Sequence, residues 1–266
     1  MIPATWRQRH DDFFRLSKPD WSHAELLEVA ASTLAADEDG ALERLRPQLR
    51  RLECLSSGYH ETLTACWLDL VRLARHLEPA EMAARLAYSQ LPLAFYSPDR
   101  LYSPEAAAVH LSPDLKPLEL PRRLPDTEIE RLVAFQSRTL SKPDWTHECH
   151  LRVALSVFLL LGEAGLSAMS RGIQRLNEVH EVPLTPSGGY HESLTRVWFT
   201  LVGQAARAAG LERQPQDLSL WELCLGWLQD KQLALRFYSR QRIMSWEARV
   251  GWLAPDLAEL DTVDFV

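Results

Sequence analysis

Three histidines in the second half of the chain have the residue type and spacing of a metal site. His147 and His150 share the tetrapeptide HECH, and His191 follows in GGYHES. Imidazole nitrogens together with a carboxylate suit zinc, iron or manganese. Glu192 is predicted to be a fourth ligand or a general base acting on metal-bound water, and Tyr190 to donate a proton or orient a ligand. The set predicts a divalent-metal-dependent enzyme acting on a small molecule.

The reaction at such a site stays open. A non-haem iron oxygenase and a zinc or manganese hydrolase fit equally well, because the ligand set does not separate these metals. A metal-free enzyme with His191 and Glu192 as an acid–base pair is a further hypothesis. The alternative is a non-catalytic scaffold or ligand-binding protein whose histidines are structural caps. Glu192 lies three residues after Gly189, where a carboxylate stabilises a helix start, which supports that alternative.

The first half carries a smaller version of the same set. His23, His60 and Glu61 are predicted to form a secondary cluster. Leu26 stands where the second half has His150, so a metal bound here would lack one ligand.

Tyr238 and Arg242 are candidate substrate-binding residues. Arginine offers paired donors to a carboxylate or a phosphate. The structural alternative is that Arg242 caps helix carbonyls or pairs with Glu247. Tyr96 and Arg100 occupy the matching place in the first half.

These residues belong to blocks that occur twice in the same order. The blocks are LSKPDWSH (16–23) and LSKPDWTH (140–147), SGYHETLTACW (57–67) and GGYHESLTRVW (188–198), and AFYSPDRLYSPEA (94–106) and RFYSRQRIMSWEA (236–248). Recurrence in order predicts an internal duplication. We expect a first helical repeat over 1–111, a proline-rich connector over 112–127 and a second repeat over 128–266.

The apolar pattern predicts an all-α fold in which each repeat is a bundle of four to five helices. Leu194, Val197, Trp198 and Leu201 follow the spacing of an amphipathic helix, for example. In the second repeat the pattern predicts helices over 129–140, 144–162, 164–180, 189–209 and 217–238.

This arrangement must position the histidines. His147, His150 and His191 fall on the inward stripes of two helices separated by one intervening helix. The starts of those helices lie at the same end of an up-and-down bundle. We therefore expect the three imidazoles to converge there, with Glu192 close by.

Composition narrows the class of protein and its partners. A formal net charge of −7 argues against nucleic acid as a partner, because phosphate binding needs clustered positive charge. The most apolar stretch, 151–161, is shorter than the roughly 20 residues that cross a bilayer. The N-terminus has no signal-peptide core, and the four cysteines form no disulfide framework. We expect a cytoplasmic protein that binds no membrane; a homo-oligomer is compatible with the sequence.

Overall fold

Polar caps determine where many helices of this chain begin. Ser22 and Thr146 each accept a hydrogen bond from the backbone N–H three residues later. Ser97 and Ser239 make the same bond at two short helices. A capping side chain satisfies an amide that has no partner inside the helix, so these serines and threonines favour a helix start.

The structure is a computed structural model and describes residues 3–14, 21–52, 59–260, 263 and 265. Residues 16–20 and 57–58, which belong to the recurring blocks of the first half, lie outside the described residues. The chain divides into two compact units, Met1–Pro121 and Arg122–Val266. The described residues are helical without a β-strand, and Thr185 and Gly188 form an isolated bridge. The predicted all-α class is confirmed for this part of the chain.

The described residues of the first unit form several helices. They are α1 (Ala4–Phe14), α2 (His23–Ala36), α3 (Ala41–Leu49), α4 (Glu61–Ala74), α5 (Pro79–Arg85), a 3-10 turn (Leu91–Ala94), α6 (Pro98–Leu101) and α7 (Pro104–Ala108). Helix α2 packs against α1, α3 and α4, and α7 packs against α4. The core of this unit therefore lies around α2 and α4.

The second unit has a similar order of elements, with an additional 3-10 turn (Gly162–Ala164) between its second and third helices. They are α8 (Asp126–Gln136), α9 (His147–Leu161), α10 (Gly165–Val179), α11 (Glu192–Ala208), α12 (Leu218–Leu228), a 3-10 turn (Leu233–Arg236), α13 (Arg240–Ile243) and α14 (Trp246–Val250). Helix α9 packs against α8, α10, α11 and α12, and α14 packs against α11. The starts of α9 and α11 both border the space between α9, α10 and α11.

The helices of the second unit differ in several places from the sequence prediction. The helix predicted over 217–238 ends at Leu228, and a separate 3-10 turn follows at Leu233–Arg236. The short helices α13 and α14 were not predicted, because their apolar stripe is too brief to show a period. Residues at the start of the predicted connector bond back to the first unit, since the amide of Leu115 donates to the carbonyl of Phe95.

One helical stretch, His147–Val179, is long and apolar enough to cross a membrane by length and composition alone. It comprises α9 and α10, which meet at a 3-10 turn and pack against each other. Of its most apolar window, 61% is buried inside the structure. The expectation that no segment spans a membrane stays a prediction.

Packing around α10 supplies a first test. A methyl group on Gly172 would overlap the ring of Phe135, which is buried and stacked on Trp145. We expect Gly172→Ala to lower the free energy of unfolding by about 1–3 kcal/mol, as other overpacked cores show. Gly226→Ala is the matched control, because nothing lies within 4 Å of its added methyl group. This exposed helical position should gain up to about 1 kcal/mol, measured by urea denaturation.

Candidate functional site

His191 is the N-cap of α11, and both of its ring nitrogens are engaged. Its Nδ1 accepts the amide of Leu194 at 3.2 Å, and its Nε2 lies 2.8 Å from the carbonyl oxygen of Ile243. A carbonyl can only accept, so Nε2 carries the proton and the ring is a neutral tautomer. Burial lowers the pKa of His191, which keeps this neutral form populated.

His60 has the same geometry at the start of α4. Its Nδ1 accepts the amide of Leu63 at 3.2 Å, and its Nε2 donates to the carbonyl of Leu101 at 2.9 Å. The two histidines therefore both cap a helix and connect that helix to a distant segment. This agrees with the structural alternative for these positions.

His147 and His23 occupy the first residue of α9 and of α2. The Nε2 of His147 lies 3.3 Å from the carbonyl oxygen of Leu228, and that of His23 lies 2.9 Å from Leu86 O. The ring of His147 contacts Trp198 edge-on, with centroids 4.8 Å apart. Burial lowers the pKa of both histidines, so both rings are neutral near pH 7.

His150 differs from the other three. Its Nδ1 donates to the carbonyl of Thr146 at 2.9 Å, and its ring lies against Trp145 with centroids 3.7 Å apart. The Nε2 atom makes no hydrogen bond to another described residue. Burial lowers the pKa of His150 to about 4, so Nε2 presents a lone pair at neutral pH.

The three predicted histidines do lie together. His147, His150 and His191 line a cavity of about 430 Å³ between α9, α10 and α11, and Tyr190 lines it too. His180 is a further histidine in the lining of this cavity. The sequence analysis missed His180, although it follows Ile173 and Leu176 on the inward stripe of α10. Its Nε2 donates to the carbonyl of Leu140 at 2.9 Å.

The geometry of these rings bears on metal binding. Within the described ranges, no group of three His, Cys, Asp or Glu side chains is arranged to hold a metal ion. His147 and His191 each direct a ring N–H at a backbone carbonyl, and His191 also gives its second nitrogen to an amide. A metal at His191 would have to displace one of these bonds. The predicted metal-dependent reaction stays a prediction.

Glu192 lies beside the cavity but not in its lining. It borders a neighbouring cleft with Arg249, while Tyr190 lines both spaces. The hydroxyl of Tyr190 donates to Glu192 at 2.6 Å, and Arg196 donates to the other carboxylate oxygen at 3.2 Å. Burial raises the pKa of Tyr190 to about 12, so Tyr190 stays protonated as the donor of this bond.

Glu61 is the buried member of an ion pair in the first unit. Arg46 donates to both carboxylate oxygens, at 2.7 and 3.0 Å, and Tyr59 adds a third bond at 2.7 Å. The bonds from Arg46 lower the pKa of Glu61 below its usual range. The predicted secondary cluster thus contains a carboxylate that bridges α3 and α4.

Tyr238 and Arg242 lie in the C-terminal corner and do not line the histidine cavity. Tyr238 is fully buried and donates its hydroxyl to the carbonyl of Leu253 at 2.6 Å. Arg242 donates through Nε to the carbonyl of Ala254 at 2.7 Å. The Tyr238 hydroxyl and the Arg242 Nε–H therefore connect the region of α13 to the segment that follows α14. Their predicted contact with a substrate stays a prediction.

Arg249 is a buried arginine that no pattern in the sequence singles out. Its Nη1 lies 3.1–3.4 Å from the carbonyl oxygens of Gly188, Gly189 and Tyr190. It therefore holds the loop that leads into α11. Ala107 takes its place in the corresponding block of the first half, so no repeated signal marks the residue.

Comparison with protein-family models, with curated proteins and with solved structures gives no match for this chain.

Substitutions can separate the two roles of His191, which are to cap α11 and to donate a hydrogen bond to Ile243. We expect His191→Ala to lower the free energy of unfolding by about 2–4 kcal/mol, because the helix loses its cap and the bond to Ile243. His191→Asn restores a cap but not the bond to Ile243, so about 1 kcal/mol should return. Urea denaturation of both variants measures the difference. A variant His191→Ala as stable as the parent would contradict the structural role.

The depressed pKa of His150 predicts a pH-dependent stability. The unfolded ring titrates near 6.5 and the folded ring near 4, so the unfolded state binds more protons between these values. Stability is fully present above pH 6.5 and is lost as the pH falls toward 4. From His150 alone we expect a loss of about 2 kcal/mol between pH 7 and pH 5.

His150→Leu should remove that part of the pH dependence, measured by urea denaturation at both pH values. His110→Leu, at an exposed position, is the control. An equal loss of stability in the parent and in His150→Leu would show that His150 does not titrate in this way.

Proposed function

We propose that the cavity of the second unit binds a small, neutral, mainly apolar molecule that carries a hydrogen-bond donor, without catalysis. The observation that carries this proposal is the state of His150. Its N–H is committed to Thr146, while its Nε2 lone pair has no partner among the described residues of the cavity. The ligand's donor would bind that nitrogen.

Size and lining support a small organic ligand. Cavities of about 300–1,000 Å³ with apolar walls and few polar groups are typical small-molecule sites, and this one measures about 430 Å³. Trp145, Trp198 and Phe199 contribute aromatic surface to the wall. Such surface favours a ligand with a flat ring, which stacks or packs edge-on.

The polar groups of the wall indicate what the ligand should carry. His147, His150 and His180 each donate one ring N–H to a carbonyl, and each keeps a second nitrogen without a hydrogen bond to any described residue. Burial lowers the pKa of His147 and of His150, so the second nitrogen of each of these two rings carries no proton and can only accept. A ligand hydroxyl or aromatic N–H can donate a hydrogen bond to such an acceptor. An ionised carboxylate cannot, because it is itself only an acceptor.

The charge of the wall argues against an ionic ligand. No aspartate or glutamate is among the described lining residues, so an ammonium group would be buried without a counter-charge. Lys142 is the charged residue of the described lining, and its ammonium donates to the carbonyl of His180 at 3.3 Å. A neutral ligand avoids the desolvation cost of a buried charge.

We also propose that the two units are copies of one ancestral unit. Supporting this, equivalent residues of the recurring blocks make the same hydrogen bonds. The caps of His60 and His191 are one example, and the bonds of Tyr96 to Leu111 and of Tyr238 to Leu253 are another. Residues shared by both units then serve the fold, and His150 is an addition of the second unit.

The metal-dependent enzyme predicted from the sequence is the competing proposal. It requires a metal that His147, His150 and His191 all reach, and therefore the loss of a hydrogen bond at His191. It predicts that a chelator abolishes activity and ligand binding. The cytoplasmic location and the absence of membrane and nucleic-acid partners remain part of either proposal.

The test compares two ligands of nearly the same shape. Indole carries an N–H donor, and benzofuran carries an ether oxygen in its place. We expect the second cavity to bind indole about 5–10-fold more tightly than benzofuran, since one hydrogen bond contributes roughly 1–1.5 kcal/mol. Isothermal titration calorimetry in the presence of a chelator measures both affinities.

His150→Leu is the matched variant, because Leu26 occupies the equivalent position in the first half. The preference for indole should disappear while benzofuran binding persists. Equal binding of both ligands by the parent would refute the proposal, and so would a preference that survives the substitution. Binding that a chelator abolishes would favour the metal site instead.

A further inference from the structure

The first unit contains a second cavity at the equivalent position. It measures about 300 Å³ and lies between α2, α3 and α4. Its lining includes residues that match the lining of the second cavity within the recurring pattern. The matching pairs are His23 and His147, Ala30 and Ala154, His60 and His191, and Trp67 and Trp198.

The polarity of the two cavities differs. Leu26 replaces His150, and Leu68 replaces Phe199. His60 has both ring nitrogens engaged, and His23 has its Nε2 bound to Leu86. Among the described histidines of this lining, the ring nitrogen without a hydrogen bond is Nδ1 of His23. The described lining of the second cavity has three ring nitrogens without a hydrogen bond.

An apolar cavity of this kind is a poor site for water. A buried water needs two to four polar partners, and engineered apolar cavities of about 150 Å³ stay dry and bind small hydrocarbons. Here leucines are the commonest residue of the lining, namely Leu26, Leu27, Leu45, Leu49, Leu63 and Leu68. An apolar molecule gains burial there and covers one ring nitrogen without a hydrogen bond, Nδ1 of His23, where the second cavity has three.

We propose that this first cavity is a separate binding site, selective for an apolar molecule without a hydrogen-bond donor. The chain then holds two sites of different selectivity. This inference extends the proposed function of the second cavity to a different site and a different class of ligand. The inference about the first cavity depends on the residues around Leu26, whereas the proposed function of the second cavity depends on His150. Either proposal can therefore fail without the other.

The experiment counts benzofuran sites by calorimetry in the parent chain and in two variants. Ala30→Leu fills the first cavity, and Ala154→Leu fills the equivalent place in the second. The parent should bind two benzofurans, and each variant should bind one. Indole preference should be lost in Ala154→Leu and kept in Ala30→Leu. Circular dichroism checks that each variant is folded.

Leu26→His keeps the inference testable if Ala30→Leu does not fold. It adds the missing acceptor, so indole binding at the first cavity should strengthen about 5–10-fold relative to benzofuran. A single benzofuran site that only Ala154→Leu removes would overturn the inference and leave the proposed function intact. Two benzofuran sites without any indole preference would uphold the first cavity and refute the role of His150.

Discussion

Each unit is held in shape by a hydrogen bond from a neutral imidazole at a helix start to a distant backbone carbonyl. His191 joins α11 to Ile243, 52 residues away, and His60 joins α4 to Leu101, 41 residues away. The opposite ring nitrogen caps the same helix. Protonation would turn that acceptor into a donor facing an amide, so the fold requires the neutral ring.

This requirement also shapes the cavity of the second unit. His147 and His150 donate their ring N–H groups to carbonyls, and the second nitrogen of each neutral ring can only accept. Tryptophan and phenylalanine rings surround them and lower the local polarity. Burial lowers the pKa of His147 and of His150 and so keeps these two rings neutral.

A tyrosine–glutamate pair occurs in both units, but the carboxylate has different further partners in each. Tyr59 donates to Glu61, and Tyr190 to Glu192. In the first unit Arg46 of α3 neutralises the carboxylate with two bonds and ties α3 to α4. In the second unit Arg196, on the same helix as Glu192, makes a single bond. Tyr190 and Glu192 also border a neighbouring cleft in this unit.

Much of this protein followed from the sequence alone. Apolar spacing predicted the all-α class, which the described residues confirm. The register of His147, His150 and His191 placed them at one end of the bundle, and all three are among the lining residues of one cavity. The sequence could not show which atom of each ring is used. That depends on carbonyls such as Leu228 and Ile243, which come from distant segments with no side-chain signal. Every residue has a backbone carbonyl, so residue types do not indicate which carbonyl will accept from a given histidine. Only the tertiary structure therefore decided which ring nitrogens remain available to a ligand.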